Sequence, residues 1–325
     1  MRLRILLFTL LPVLSHAALL PGTLGKYQQV ASTPVRVMDK ALWDELGLRE
    51  AASGTYRAAG AEATVSVWRV ADSTSGLAAF DALVPPDAAP ADAKLLTVSG
   101  LTRKLPNGVL AALGNTVVRV EGYTPTADEL ANFFRTIPRF EQGPLPLLPD
   151  YLALQGLRPN TQRYLMGPSA LKVFLPQVSP ATAAFSMGAE GTVAEYASGQ
   201  KLAIFSYPTP AIARDRLPEF QKIAGLLVKR TGSLIAAVVT HGNTNDDERL
   251  LSQIRYQASV TVGEKPKTVR DNPGNLFLNI IYLCLILAAF CAVSGVVVGG
   301  LRYILRRAGP SGEGGDMISL GIEKR

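Results

Sequence analysis

The chain has 325 residues, 48% of them hydrophobic, with 33 Lys and Arg against 26 Asp and Glu, two His and two Cys. So large an apolar share excludes a disordered chain, and so few cysteines exclude a disulfide scaffold. Seven of the bases and three of the acids lie in the two terminal segments treated below, so 26 bases and 23 acids remain between them, and that small excess gives a nucleic-acid partner no support.

Residues 1–17 read as a secretory signal peptide. Arg2 and Arg4 precede an apolar stretch at 5–14, broken by Pro12, and Ser15, His16 and Ala17 follow, with Ala17 the expected last residue removed. The stretch is short for a membrane span. The exported part then opens on ALLPGTLGKY at 18–27.

A first repeat is expected over residues 18–142. Alternating apolar strands at 54–59 and 63–70 lead to a helix at 75–83; strands at 109–113 and 116–121 lead to a second helix at 127–137. Thr126 and Glu129 have capping-box spacing, and Leu130, Phe133, Phe134 and Ile137 form one apolar stripe. The three prolines of EQGPLPLLPDY at 141–151 mark a connector, and its Leu-Leu-Pro echoes the opening of the exported part.

The second repeat, residues 143–262, shows the same order. Strands at 192–196 and 202–207 precede a helix at 211–224; strands at 226–230 and 233–240 precede a helix at 246–255, with Asn245 and Glu248 as a second capping pair. The segments 63–83 and 200–220 align without a gap, placing Phe80 and Leu83 opposite Leu217 and Phe220. The pattern implies α+β architecture: two similar domains, each an antiparallel sheet built hairpin-helix-hairpin-helix with helices on one face.

A polar stalk at 263–274 leads into a transmembrane helix at 275–301. From Leu276 to Leu301 there is no Asp, Glu, Lys or Arg, and Arg302, Arg306 and Arg307 follow at once. The positive-inside rule puts the tail at 302–325 in the cytoplasm and residues 18–274 on the periplasmic or extracellular side of the plasma (inner) membrane, a single-pass type I arrangement. Cys284 and Cys291 both fall in the span, so the exported part has no cysteine; it also lacks N-x-Ser/Thr sequons, which points to bacterial export. Ser294, Gly295 and Gly299 form a small face suited to helix packing, within a homodimer or against another envelope protein.

The residues that carry chemistry are sparse. After signal removal His241 is the only histidine, with Ser233 and Ser252 as nearby serines and no Gly-x-Ser-x-Gly elbow. One histidine and no cysteine cannot assemble the usual zinc sets, and Asp246, Asp247 and Glu248 suit a helix N-terminus better than a calcium loop. Glu50, Glu190 and Glu195 lie beside predicted strands, as carboxylates of a glycosidase would or as ordinary ion-pair partners. Trp68, Phe205, Tyr207, Tyr56 and Tyr196 read as core under helices, with a ligand platform as the alternative. No catalytic, cofactor-binding or metal-ligating residue is assigned, and no cofactor is implied.

The phrases IFSYPTPAIARDRLPEFQK at 204–222 and MGAEGTVAEY at 187–196, with the Leu-Leu-Pro openings, resemble an uncharacterised family of exported bacterial proteins over most of residues 19–262. That resemblance implies export and a duplicated α+β ectodomain, and no reaction. The expected role is a binding or interaction module of the envelope; a hydrolase using unplaced carboxylates and a structural spacer are the alternatives.

Overall fold

The computed structural model describes residues 19–35, 37–240, 242–254 and 273–308. Ala17, His241, residues 255–272 and the tail beyond residue 308 lie outside the described residues. The chain divides into two units, 1–258 and 259–325.

In the first unit, β1 (Thr23–Leu24), β2 (Tyr27–Pro34), α1 (Lys40–Glu45), β3 (Glu50–Ala58), β4 (Ala61–Arg69) and α2 (Ser73–Leu83) come first. Then follow β5 (Ala89–Pro90), α3 (Ala93–Val98), β6 (Leu101–Leu105), β7 (Gly108–Leu113), β8 (Thr116–Glu121) and α4 (Ala127–Thr136). Their strands make an eight-stranded antiparallel sheet in the order β1-β2-β3-β4-β8-β7-β6-β5. A 3-10 turn at Leu148–Tyr151 leads to β9 (Arg163–Leu165), α5 (Pro168–Phe174), α6 (Pro180–Ala183), β10 (Glu190–Glu195), β11 (Lys201–Ser206), α7 (Pro210–Gln221), β12 (Leu226–Thr231), β13 (Leu234–Val239) and α8 (Thr244–Gln253). The second sheet is antiparallel and runs β12-β13-β11-β10-β9. The hairpins β10-β11 and β12-β13 are joined by α7 alone, whereas α2, β5, α3 and β6 stand between β3-β4 and β7-β8; in both sheets the later strands of these hairpins lie side by side, as β3-β4-β8-β7 and β10-β11-β13-β12.

Helices cover both faces of each sheet, which corrects the single covered face expected from alternation. Paired residues share a face. Trp68, Val117 and Ala112 pair in register and pack with Leu77 and Phe80 of α2. Their neighbours Val67, Val118 and Ala111 face the other way, into a second cluster with Leu130, Phe133 and Phe134 of α4. In the second sheet, Phe205 lies 5.1 Å from Phe220 of α7. Ile204 pairs with Ala236 and that residue with Lys229, whose ammonium donates to the carbonyls of Leu251 and Ile254 at the end of α8. The physical reason is visible in runs such as Leu234–Val239, LIAAVV: a strand buried on both faces needs apolar residues at successive positions, not at every second one.

One hydrophobic cluster spans both sheets, from Trp43 and Trp68 through Leu77 and Phe80 to Leu165, Phe205 and Ile235. Helix α2 touches β7 and β8 of the first sheet and β9 of the second, and its residues from Ser75 to Asp81 are all buried. Close approach depends on Gly76, where a Cβ would lie 2.1 Å from the carbonyl oxygen of Gly114 in the β7–β8 turn. Gly114 itself has φ +55°, which suits glycine.

The helix ends follow local chemistry. Asp72 accepts from the Ser75 N–H, Thr209 accepts from Ile212 N–H with Pro210 just inside, and Thr126 and Glu129 form the expected capping box. At α8 the expected pair Asn245 and Glu248 is corrected to Asn243, because the helix begins at Thr244. The Asn243 amide donates to Asp246, so side chain meets side chain instead of backbone.

The second unit is described by α9 (Pro273–Ala308). Its stretch Ile280–Leu305 has 26 residues, a mean hydropathy of 2.7 and no buried residue. At a rise of about 1.5 Å per residue it is long enough to cross a hydrocarbon core of about 30 Å.

Candidate functional site

The residues singled out in sequence do not converge. Glu50 pairs with Arg69 at 2.9 Å, Glu190 accepts from the Tyr164 hydroxyl at 2.5 Å, and Glu195 pairs with Arg158 and Lys201. Asp247 is buried and accepts from the Gln200 amide at 2.5 Å, while Asp246 receives Asn243 and Arg249. Among the described residues no group of His, Cys, Asp and Glu could hold a metal ion. The aromatic residues are core: Trp68 stacks on Trp43 at 5.9 Å, and the hydroxyls of Tyr56, Tyr196 and Tyr207 donate to the carbonyls of Pro21, Ala153 and Ala183. Burial pushes the phenols of Tyr56 and Tyr196 up to about 12 and raises that of Tyr207 as well, so all three serve as donors. On α9, an added Cβ at Gly295 or Gly299 meets nothing within 4 Å, and Ser294 is partly covered.

The site that the fold builds lies elsewhere, around the loop before β9, and it starts from Asn160. Asn160 has φ +58°, a left-handed conformation that asparagine tolerates better than most side chains. Its amide donates to the carbonyls of Ala88 at 2.7 Å and Pro86 at 3.3 Å, its side-chain oxygen accepts from Arg103 Nε at 2.9 Å, and its carbonyl accepts from Arg163 Nη1 at 2.8 Å. The loop is tied on its other side to β10: the Arg158 N–H donates to the Glu195 carbonyl, and the Glu195 N–H donates to the Thr161 hydroxyl. Arg158 and Arg163 are thereby held on either side of one turn.

These ties frame a cavity of about 300 Å³, floored by β10 and walled by Arg158, Arg163, Phe174 and Lys201. Its volume is at the lower end for small-molecule sites. Three cations face one carboxylate. Glu195 lies 3.3 Å from Arg158 Nη1 and 3.5 Å from Lys201 Nζ, and Lys201 also donates to the Phe174 carbonyl. Arg163 has no ion pair among the described residues; Nη1 donates to the carbonyls of Asn160 and Gln162, and its guanidinium lies 5.6 Å from the Phe174 ring centre.

Behind Arg163 sits Asp81, on the last turns of α2 and 5% exposed. Desolvation dominates its titration and pushes the carboxyl up to about 8, against the lowering pull of Arg163, the Tyr164 N–H and Arg103. Among the described residues neither arginine makes an ion pair with it, and its Oδ2 has no hydrogen-bond partner. Asp81 therefore holds a proton at neutral pH, which leaves Glu195 as the charged carboxylate acting on Arg163, at longer range than an ion pair. Desolvation also lowers the Arg163 guanidinium, yet an arginine stays charged across the accessible pH range.

Sequence reasoning placed Glu195 beside a strand and gave no weight to Arg158, Asn160, Arg163 or Lys201. The available signal was the run of polar residues from Arg158 to Arg163 between apolar segments, which by itself reads as a solvated loop. No family model matches the chain, and neither a curated protein nor a solved structure does.

Proposed function

We propose that this chain is a membrane-anchored binding module of the bacterial envelope, exported by residues 1–17 with cleavage after Ala17 and held by α9. Residues 18–274 then face the periplasmic or extracellular side and residues 302–325 the cytoplasm. The observation that carries the reading is the apolar stretch Ile280–Leu305, in which no residue is buried and for which a bilayer is the matching solvent. Arg302, Arg306 and Arg307 at its far end support the orientation, and the resemblance to exported bacterial proteins supports the compartment. The separate engagement of Glu50, Glu190 and Glu195 favours binding over carboxylate hydrolysis.

We also infer that the halves 18–142 and 143–262 arose by duplication. The common strand order of the hairpin pairs supports this, as does the gapless alignment of 63–83 with 200–220.

The test is a pair of reporters fused after Arg325, one active only in the cytoplasm and one only outside, together with N-terminal sequencing of the purified chain. The cytoplasmic reporter is expected to be active, and the sequence to begin at Ala18. Activity of the outside reporter, or a retained Met1, overturns the arrangement.

A further inference from the structure

We propose that the cavity beside Asn160 binds a small organic anion, its carboxylate or phosphate held by Arg158 and Arg163 and its apolar body laid along Phe174. The inference deepens the binding reading above by naming a class of ligand.

Charge separates this cavity from two others among the described residues. With Glu195 shared between Arg158 and Lys201 and no carboxylate paired to Arg163, the walls carry an excess of two positive charges. The cavity at the start of α2 presents Asp72 and Glu141 and no cation, and the one beside the β7–β8 strands sets Arg119 against Glu121 at 2.6 Å. Of these three, the first suits an anion. Nε and Nη2 of Arg163 have no protein partner among the described residues, so the guanidinium can offer its fork to an oxyanion without breaking an existing bond. The backbone carbonyls on Nη1 and the ring of Phe174 hold the side chain in place beforehand, which lowers the entropy cost of capture. Phe174, with Pro86, Val193 and Ala194, supplies the apolar side that an inorganic ion would leave unused.

Glu195 is then a competitor: it occupies Arg158 and Lys201 when the cavity is empty, and an arriving anion must share them. A carboxylate with a purely structural role would not show this.

Calorimetry on the full chain in neutral detergent micelles, with benzoate, phenyl phosphate and benzyl alcohol as probes, tests the proposal. At least one anion is expected to saturate one site per chain, the stronger of the two showing which oxyanion fits, while benzyl alcohol binds far more weakly. Arg163→Gln should weaken the anion about tenfold, and Glu195→Gln should tighten it about threefold. No saturable binding of either anion overturns the proposal, as does equal binding of benzyl alcohol or unchanged affinity in Glu195→Gln. Because Glu195→Gln predicts a gain, it decides the matter even where Arg163→Gln does not fold. Membrane orientation does not enter this assay, so a failed anion titration beside the expected reporter result removes the cavity proposal alone, and the reverse pattern removes the orientation alone.

Discussion

Replacing Asp81 with Asn removes a buried acid while keeping its shape and an oxygen for the Tyr164 N–H. The carboxyl titrates near 3.8 in an unfolded chain and near 8 in the fold, because desolvation outweighs Arg163 and Arg103. Among the described residues the hydrogen bonds that Arg103 and Arg163 make go to Asn160, Gln162 and Thr102, none to the Asp81 carboxyl, whose Oδ2 is left without a partner. A pKa raised on folding means that the native state keeps a proton the unfolded state releases. The stability this contributes is complete below the unfolded value and is lost as pH rises toward the folded one. Each pH unit in that window is worth about 1.4 kcal/mol, so between about pH 5 and pH 7 the wild type should lose about 3 kcal/mol relative to Asp81→Asn. Urea unfolding of the full chain in micelles, followed by tryptophan fluorescence, measures it. The only two tryptophans, Trp43 and Trp68, are buried in the cluster that contains α2. A constant gap between the two proteins, or one in which the wild type gains on the variant toward pH 7, refutes the argument: the second result would mean an ionised Asp81 paired with its arginines.

Other substitutions probe the packing and the anchor. Gly76→Ala drives a methyl into the Gly114 carbonyl and should cost about 1–3 kcal/mol in urea unfolding, whereas Gly22→Ala, with nothing within 4 Å, should be silent. Glu45 accepts the Ser169 and Ala170 N–H groups at 2.6 and 3.1 Å, so Glu45→Ala uncaps α5 and should cost about 1–2 kcal/mol, with Glu45→Gln in between. Since α5 ends in Phe174, Glu45→Ala should also weaken anion binding in the same calorimeter. Gly295→Leu with Gly299→Leu should reduce crosslinking of the full chain in membranes if α9 self-associates through that face; crosslinking equal to wild type dismisses the contact.

Much of the fold is legible in the sequence. Strands at 116–121 and 226–230, the helix at 127–137 and the Thr126–Glu129 capping box appear where periodicity puts them, because each is decided by residues a few positions apart. The additions are harder to read. β1, β2, β5 and β6 are short or largely exposed and carry little periodic signal, and β9 has three residues. Coverage of both sheet faces was readable in principle from runs such as LAIF at 202–205, whose successive buried positions depart from alternation.

Sequence alone determined the apolar C-terminal helix, the order of the paired hairpins and the small charge excess between the termini, because length, period and composition are properties of neighbours along the chain. Tertiary structure alone decided that Arg158, Arg163 and Lys201 meet around one carboxylate, that Asp81 is sealed behind them, and that α2 joins two sheets through a common core. Those outcomes depend on residues such as Asn160 and Ala88, which are 72 positions apart until the chain closes on itself, and on desolvation, which has no value until a side chain has been enclosed.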